Sequence, residues 1–384
     1  MPARDADYVF VGAGVAGLSL ACALAARGLR GRRLLLIDPR SEHANDRTFC
    51  FWNVVPHAFE DLASHRWPCW RVRAPGRDIV RSAPGIEYQH LPAAAFYARA
   101  LARLDEAGVE LRLGVRAHAV VDEGDGVRVE TDAGVLRASL AFDSRPPAPE
   151  VSGREVTLLQ HFEGWHVRLD EPRFDPRVAT LMDFEVPQDH GIHFVYVLPY
   201  GEREGLVEAT WFGRRALGEA EHTAYLERYL RTALRSRRWE IVRRERGVIP
   251  MSTRETSLRP SRRVYRIGLA GGMAKPSTGY AFQAIQRFSR ELAARLDVHE
   301  LPEPPRPRPW RATALDRIFL SYLDRYPVRA PDVFATLFER VEPALLVRFL
   351  SDRASGPECL RVMRALPFAP FTLETLRSAR LWLR

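Results

Sequence analysis

Three glycines near the N-terminus, Gly12, Gly14 and Gly17, have the spacing of a turn that binds the pyrophosphate of a dinucleotide. They follow an apolar strand predicted over 8–11 and begin an Ala/Leu-rich helix, whose N-terminal N–H groups attract anions. Asp38 ends the next apolar segment, where a carboxylate can accept hydrogen bonds from a ribose. The pattern predicts a dinucleotide site; the alternative is a glycine turn in a βαβ unit that binds no nucleotide.

Glu208 has the position of a buried general acid. It interrupts the apolar strand predicted over 205–212, which follows a Leu-Pro-Tyr turn, so its carboxyl group can face an apolar cavity. Burial raises the pKa of a carboxyl group and keeps it protonated near neutral pH, as a general acid requires. The alternative is an exposed acid on the solvent face of a half-buried strand.

The elements that must hold these residues occur in a split order. After the first βαβ unit, the sequence predicts a helix over 91–107 and strands over 109–113, 115–121, 127–131 and 136–141. A β-rich segment with one helix, over 219–234, comes next, and the strand 264–270 and the helix 282–296 then return to the nucleotide fold. Because this split is typical of flavoproteins, FAD is favoured over NAD as the tightly held cofactor.

We therefore predict an α/β protein with a split Rossmann-like FAD-binding fold, a β-rich substrate domain and a helical C-terminal tail. The FAD-binding domain comprises residues 1–150 and 256–300, and the β-rich domain comprises residues 151–255. A proline-rich linker and the helical tail make up residues 301–384.

Composition limits the classes of function. Of 384 residues, 46% are hydrophobic and 27% charged, as in a soluble globular protein, and we expect no signal peptide and no membrane span. The four cysteines lack metal-binding spacing, which indicates a reducing cytoplasm and no metal site. The net charge of +9 comes almost entirely from scattered arginines, because Lys275 is the only lysine. This distribution does not predict nucleic-acid binding, and an anionic membrane surface is the better partner for the charge.

Five segments together resemble the bacterial lycopene cyclases, which are flavin-dependent carotenoid β-cyclases. They are Asn-Asp-Arg-Thr-Phe-Cys-Phe-Trp at 45–52, Val-Tyr-Val-Leu-Pro-Tyr at 195–200, Leu-Val-Glu-Ala-Thr at 206–210, Gly-Val-Ile-Pro-Met at 247–251 and Gly-Gly-Met-Ala-Lys-Pro-Ser-Thr-Gly-Tyr at 271–280. The resemblance covers about residues 5–300 and is less distinct in the tail.

The sequence departs from the family pattern at two positions. Glu208 matches the first acid of the family's acidic motif, but Ala209 replaces the second acid. Either the second acid is dispensable or the ring specificity differs. Gly272 stands where related hydroxylases carry an aspartate, which favours a cyclase over a hydroxylase.

The resemblance implies an isomerase, a lycopene β-cyclase of carotenoid biosynthesis. Its substrate would be lycopene or a related acyclic carotenoid, whose ψ-ends close into β-rings to give γ-carotene and β-carotene. The reaction would be redox-neutral and acid-catalysed by Glu208, with FAD held in its reduced form at the expense of NAD(P)H. Aromatic faces stabilise a buried carbocation, and the candidates for them are Phe49, Phe51, Trp52, Tyr196 and Trp211.

The cofactor-binding residues predicted for this flavoprotein are Gly12, Gly14, Gly17, Asp38, Arg47, Gly272, Lys275, Pro276, Thr278 and Gly279. Arg47 would pair with the FAD diphosphate or ribose. Pro276, Thr278 and Gly279 precede a helix, where backbone N–H groups would meet the flavin or a phosphate. Lys275 would lie near the N1–C2=O edge of the reduced flavin. Four histidines of the β-rich segment have no metal-pair spacing, and we expect them to be satisfied by ordinary hydrogen bonds: His161, His166, His190 and His193.

Other functions and locations remain open at this level. The alternative enzyme is an FAD-dependent monooxygenase or an isoprenoid reductase of the same fold, and a non-enzymatic alternative is a carotenoid-binding flavoprotein without turnover. We expect a cytoplasmic protein, peripheral on the inner face of the cell membrane, whose tail either lies on the bilayer or packs onto the flavin domain. The sequence does not decide between one ring and two, between β and ε or γ rings, or the oligomeric state.

Overall fold

The computed structural model describes residues 4–145, 156–252, 254, 256–367, 371 and 373–375. Its strands, in chain order, are β1 (Tyr8–Val11), β2 (Leu34–Asp38), β3 (Thr48–Trp52), β4 (His65–Trp67), β5 (Cys69–Ala74), β6 (Arg77–Ser82), β7 (Tyr88–Pro92), β8 (Glu110–Leu113), β9 (Ala117–Asp122), β10 (Val127–Thr131), β11 (Gly134–Ala138), β12 (Leu140–Asp143), β13 (Thr157–Leu169), β14 (Val178–Asp183), β15 (Ile192–Pro199), β16 (Glu204–Gly213), β17 (Trp239–Ser252) and β18 (Val264–Arg266). Its α-helices are α1 (Val15–Ala25), α2 (Ala93–Glu106), α3 (Glu219–Thr232), α4 (Phe282–Val298), α5 (Trp310–Arg325), α6 (Ala330–Arg340), α7 (Pro343–Leu350) and α8 (Gly356–Arg364).

A five-stranded parallel sheet forms the nucleotide-binding half of the fold. Its strand order is β18-β12-β1-β2-β8, so the sheet joins the start of the chain to the segment that returns after residue 260. Helices α1 and α4 cover one face, and the antiparallel sheet β9–β11 covers the other. The predicted split α/β fold is confirmed. The predicted helices also correspond to α2, α3 and α4, within a few residues at each end.

Two predicted strands are corrected by the structure. The strand predicted over 264–270 is too long, because β18 ends at Arg266 and a 3-10 turn follows over Gly268–Gly271. The segment 136–141 belongs to two strands. β11 ends at Ala138 and pairs antiparallel with β10, whereas β12 begins at Leu140 and pairs parallel with β1. Between them, the N–H of Ser139 donates to the carbonyl of Asp7 at 2.9 Å. Leu136 and Ala138 of β11 and Leu140–Phe142 of β12 are all buried, so hydropathy did not reveal where the chain passes from one sheet to the other.

A seven-stranded sheet forms the β-rich half, in the order β17-β13-β16-β15-β14-β5-β6. Side chains alternate between its two faces. On β16, Val207, Ala209 and Trp211 pack beneath α3, and we call this side the α3 face. Leu206 and Glu208 point the other way, toward the parallel-sheet domain, and we call that side the cavity face.

The sheets do not follow the predicted domain boundaries. β5 and β6 lie within the segment 1–150 assigned to FAD binding, yet they extend the seven-stranded sheet, since β5 pairs parallel with β14. The predicted boundary between residues 150 and 151 falls outside the described residues, as do residues 376–384 of the predicted tail.

The described part of the tail packs onto the rest of the protein. Helix α6 contacts β5 and β6, and Val333, Phe334 and Leu337 join the same buried cluster as Val72 of β5. The tail was predicted either to lie on the bilayer or to pack onto the flavin domain. The described residues of the tail pack onto the protein, but against the seven-stranded sheet. Within the described residues, no helix combines the length and the hydropathy needed to cross a bilayer.

Candidate active site

A cavity of about 1110 Å³ lies between the parallel sheet, the cavity face of the seven-stranded sheet and helices α5–α8. The glycine turn at Gly12 and Gly14 lines one end, and Phe319 and Phe349 of the C-terminal helices line the other. Glu208 also lines it. The lining is mostly apolar, with few polar groups, as is usual for a site that binds a small molecule.

The glycine turn has the geometry of a pyrophosphate site. Gly12 has a φ of +104°, and a Cβ placed on it would lie 2.1 Å from Ser144 Oγ. A Cβ on Gly17 would lie 2.1 Å from the carbonyl oxygen of Gly12, so both positions require glycine. A Cβ on Gly14 would have only Arg40 Nη2 nearby, at 3.8 Å, and α1 begins there without a side-chain cap. The turn therefore leaves room and N–H donors for a phosphate group, which fits a dinucleotide.

Asp38 lies at the end of β2, where the ribose-binding acid was predicted. Its Oδ2 accepts hydrogen bonds from the N–H of Ala13 at 2.8 Å and from Arg40 Nη2 at 3.0 Å. Burial opposes ionisation, but the hydrogen bonds from Arg40 and Ala13 outweigh it and lower the pKa of Asp38. The sequence pattern did not reveal Arg40, although it stands only two residues beyond the acid that it pairs with. A ribose would share a carboxylate that Arg40 already orients.

Lys275 lies in a buried cluster of four charges. Its Nζ is 3.0 Å from Asp316 Oδ1 and 2.7 Å from Asp352 Oδ1, and Arg308 forms ion pairs with both aspartates. Ser277 Oγ also donates to Asp316, at 2.6 Å. The cluster fastens the segment around Lys275 to α5 and to the end of α7. Lys275 also lines the cavity, and its predicted contact with a flavin stays a prediction.

The N–H groups predicted to meet the flavin are used inside their own turn. Those of Thr278 and Gly279 both donate to the carbonyl of Lys275, at 3.1 and 2.8 Å, and Pro276 has no N–H. Thr278 and Gly279 line the cavity, together with the first turn of α4 from Phe282. The correction is that α4, rather than the segment before it, presents a helix N-terminus to the cavity.

The remaining predicted cofactor residues lie at the edge of the site or outside it. Arg47 lines the cavity and is half-exposed, and its Nη1 lies 3.7 Å from Asp46 Oδ2. Gly272 ends a short 3-10 turn with a φ of +66°, is exposed and does not line the cavity. An aspartate at position 272 would therefore lie outside the cavity of this chain.

Glu208 lies on the cavity face between Tyr196 of β15 and Gly164 of β13. Its Oε1 accepts a hydrogen bond from Thr210 Oγ1 at 2.7 Å, and its Oε2 has no hydrogen-bond partner among the described residues. Burial, reinforced by the negative charge of Glu245, raises the pKa of Glu208 to about 8. Glu208 is therefore protonated at neutral pH, as the sequence pattern predicted, with its free oxygen in the cavity lining.

A second carboxyl group, Glu245, was missed by the sequence analysis. β17 places it beside Gly164, so that the glycine separates the two acids, and a Cβ there would lie 3.2 Å from Glu245 Cγ and 3.4 Å from Glu208 Cβ. Thr48 Oγ1 donates to its Oε2 at 2.7 Å, and Arg243 Nη1 lies 3.2 Å from the same oxygen. Burial opposes ionisation, but His166, Thr48 and Arg243 outweigh it and lower the pKa of Glu245.

One signal could have revealed Glu245. It stands two residues before Gly247, in the strand that carries the Gly-Val-Ile-Pro-Met segment, and residues two apart on a strand share a face. Ile249 of the same strand lines the cavity as Glu245 does. The site therefore holds one protonated and one ionised carboxyl group, with a glycine between them.

The residue that replaces the family's second acid points away from the cavity. Ala209 is on the α3 face, buried against Val207 and Trp211, because successive residues of a strand alternate between faces. Its partner on β13 is Glu163, which is buried and bonded to Trp165 Nε1 at 2.8 Å. An acid at position 209 would not reach the cavity of this chain.

Four of the five predicted aromatic residues line the cavity: Phe49, Phe51, Trp52 and Tyr196. The fifth, Trp211, was wrongly predicted, because it lies an odd number of residues from Glu208 and faces α3. Two tyrosines extend the aromatic wall. Tyr196 donates its hydroxyl hydrogen to Tyr88 at 2.9 Å, and the Tyr88 and Tyr280 hydroxyls lie 3.2 Å apart.

The histidines beneath α3 are not all satisfied. His161 and His193 stack on either side of Trp211, and the Nε2 atom of each is buried without a hydrogen-bond partner in the described part of the chain. Burial lowers the pKa of each to about 4. The prediction of ordinary hydrogen bonding is therefore wrong for these two nitrogens.

No group of three or more His, Cys, Asp and Glu side chains among the described residues is arranged to hold a metal ion.

Solved structures resemble the fold. A geranylgeranyl bacteriochlorophyll reductase-like protein from Thermoplasma acidophilum superposes with a TM-score of 0.60 at 14% identity, covering 98% of each chain. A complex of aklavinone-11 hydroxylase with FAD and aklavinone gives a TM-score of 0.64 at 17% identity, over 90% of this chain and 73% of that one. At this identity the likeness shows the fold alone, which this chain shares with the hydroxylase in that FAD complex.

Proteins related in sequence identify the family. A lycopene beta-cyclase of Paracoccus sp. (strain N81106 / MBIC 01143) is 29% identical over 95% of both chains. Another, from Pseudescherichia vulneris, is 24% identical over 97% of both. The family model described as lycopene cyclase protein matches residues 7–376, which is nearly the whole chain, and the chain therefore belongs to the lycopene cyclase family.

Proposed function

We propose that this protein is a lycopene β-cyclase. It would close the ψ-ends of lycopene, or of a related acyclic carotenoid, into β-rings without net oxidation or reduction, which makes it an isomerase. The observation that carries the proposal is Glu208, a protonated acid with a free oxygen in an apolar cavity that also reaches the glycine turn. A hydrocarbon substrate has no heteroatom to polarise, so its activation requires a group that can protonate a carbon–carbon double bond.

The first step follows from the hydrogen bonding of Glu208. Thr210 donates to Oε1, so this oxygen acts as the carbonyl acceptor and the acidic proton resides on Oε2. Oε2–H transfers its proton to C2 of the terminal C1=C2 bond, and the cation forms at C1. The C5=C6 electron pair then makes the C1–C6 bond and moves the cation to C5. Loss of the C6 proton forms the C5=C6 bond of a β-ring.

The lining of the cavity suits such cations. The rings of Trp52, Tyr88, Tyr196 and Tyr280 line it with π-faces and edges, and a cation over a π-face is stabilised. The apolar residues around them exclude water, which would otherwise trap the cation as an alcohol. Reduced FAD, maintained by NAD(P)H, would supply further negative charge beside the ring when it is bound. The chain's own part is to hold it through the glycine turn and Asp38.

We place the protein on the cytoplasmic face of the cell membrane as a peripheral protein. Its substrate would be dissolved in a bilayer, and the apolar side of the cavity is built by α5–α8, including Phe319, Leu337 and Phe349.

Expression in a lycopene-accumulating bacterial host tests the function. We expect a pigment with the mass of lycopene and the shifted absorption spectrum of a cyclised carotenoid, and no such pigment in cells with an empty vector. With purified protein in heavy water, one deuterium should appear at C2 of each new ring, and flavin reduced once should support many turnovers. A pigment that gained oxygen or hydrogen would instead indicate the monooxygenase or the reductase. A bound but unchanged pigment would indicate a carotenoid-binding protein.

A further inference from the structure

We propose that Glu245 is the base of this site, the group that accepts the C6 proton and so directs the new double bond to the β position. The inference rests on the proposed function, because it assigns a residue to the last step of ring formation. It concerns a residue outside the acidic motif, on another strand.

Glu245 lies on the same face as Glu208, but far enough away that the two carboxyl groups do not share one proton. The two glutamates flank Gly164 on the cavity face, so their strands are two strand spacings apart, about 10 Å. The glycine leaves room for both side chains over the middle strand, since a Cβ there would lie 3.2 Å from Glu245 Cγ, which is tight, and 3.4 Å from Glu208 Cβ, which is van der Waals contact. A ring closing beneath Gly164 would meet an acid on one side and a carboxylate on the other.

The partners of Glu245 keep it ionised but leave one oxygen for the substrate. Thr48 of β3 and Arg243 of β17 both contact Oε2, and His166 of β13 lies 3.7 Å from it. Among the described residues, no group donates a hydrogen bond to Oε1. Glu245 and Thr48 both line the cavity.

The other groups around the pair are poorer bases. Tyr196 of β15 and Tyr88 of β7 are phenols whose pKa burial raises well above the usual value, and burial also raises the pKa of the Cys50 thiol. They therefore remain neutral, and a neutral phenol or thiol accepts a proton weakly. His166 already receives a contact from Arg243 at Nε2.

The step balances in protons and electrons. After the C1–C6 bond forms, the cation is at C5, and hydrogens can leave from C6, from C4 or from the methyl group on C5. Glu245 takes the C6 hydrogen as a proton, and the C6–H electron pair becomes the C5=C6 bond. Glu245 then releases the proton to solvent water, and solvent water reprotonates the carboxylate left on Glu208. Glu208 is restored as the acid and Glu245 as the carboxylate, and no oxidant or reductant is consumed.

The test is the distribution of ring types formed by E245Q in the full-length, flavin-loaded protein. Without the base, we expect β-ring formation to fall by about 10²-fold. The remaining rings should carry their double bond at C4=C5 or outside the ring, and chromatography with NMR of the products would measure this. E163Q removes an equally buried acid on the α3 face and should leave the ring distribution of the wild type. If all rings formed by E245Q were of the β type, the assignment would be overturned, whatever the rate of their formation.

A second variant keeps the proposal testable if E245Q fails to hold flavin. E245D retains the charge but withdraws the carboxylate by one methylene, so it should form a mixture of β and other rings. An E245D protein with the rate and ring distribution of the wild type would count against Glu245 as the base. Failure of the proposed function is distinguishable from both results, because the wild-type protein itself would then form no rings.

Discussion

Glu208 and Glu163 are buried acids on opposite faces of one sheet, and they differ in what surrounds them. Their exposed fractions are 9% and 1%, so burial alone does not distinguish them. Glu163 Oε2 lies 3.0 Å from Arg246 Nη2, Glu163 Oε1 lies 3.6 Å from Arg244 Nη1, and Trp165 donates to it. No cation contacts Glu208 among the described residues; Thr210 donates to one oxygen, and the other is left for the cavity.

The comparison shows which buried acid can keep a proton to donate. Glu163 is paired with Arg244 and Arg246 beneath α3 and faces away from the cavity. A carboxyl group that is buried without a cation keeps its proton, because the low-dielectric surroundings disfavour the charged form. The same sheet therefore carries an acid paired with cations on one face and, on the other, the acid without a cation that we propose as the proton donor.

We expect Glu208→Gln to have the largest effect on ring formation and to test the contrast with Glu163 most directly. The amide preserves size but cannot donate an acidic proton, so ring formation should fall by about 10²–10⁴-fold while flavin content stays normal. The matched change Glu163→Gln should leave turnover within a few-fold, and should lower the unfolding free energy by about 1–3 kcal/mol. The amount of carotenoid product would measure turnover, and urea unfolding would measure the unfolding free energy. Similar losses of activity in both variants would show that the faces do not differ in function.

A smaller effect is expected from Gly164→Ala, which disturbs the cavity face alone. The added methyl group would lie 2.9 Å from Leu206 Cδ1 and 3.2 Å from Glu245 Cγ, so the side chains of Leu206 and Glu245 must shift. Since displacement of a reacting group by about 1 Å can cost 10²-fold, we expect turnover to fall by up to about that factor. Gly201→Ala, in the turn before β16 with no atom within 4 Å of the added Cβ, is the control and should remain active. Equal turnover of the two variants would contradict the close pairing of the acids.

The smallest effect is a difference in the pH dependence of stability. The pKa of Glu208 rises from 4.5 to about 8 on folding, so its contribution is complete below pH 4.5 and is lost as the pH rises through 8. The pKa values of His161 and His193 fall from 6.5 to about 4, so their contribution is complete above pH 6.5 and is lost as the pH falls through 4.

Urea unfolding of the flavin-loaded protein between pH 4.5 and 8.5 would measure both slopes. Glu208→Gln should flatten the alkaline side, and the double change His161→Gln and His193→Gln should flatten the acidic side, each by up to a few kcal/mol. An acidic slope that the histidine changes leave intact would mean that protonation of other groups governs it.

Local patterns were sufficient for much of this protein. Gly12 was identifiable because its positive φ is a local requirement of the turn, and Gly17 because its neighbour is Gly12 in the same turn. Helix α4 begins at the predicted residue, Phe282. Glu208 was identifiable because one acid in a long apolar strand is unusual whatever the strand packs against. The sequence also predicted the split of the parallel sheet, since the order of elements along the chain carries that information.

Only the tertiary structure decided which distant segments come into contact. Glu245 is a candidate base because β17 and β16 both pair with β13 at Gly164, and a sequence does not report strand register. Lys275 meets Asp316 and Asp352 because α5 and the end of α7 fold back onto its turn. Hydropathy and spacing describe which residues are buried and along which element, whereas the partners of a buried charge depend on how elements far apart in the chain come together.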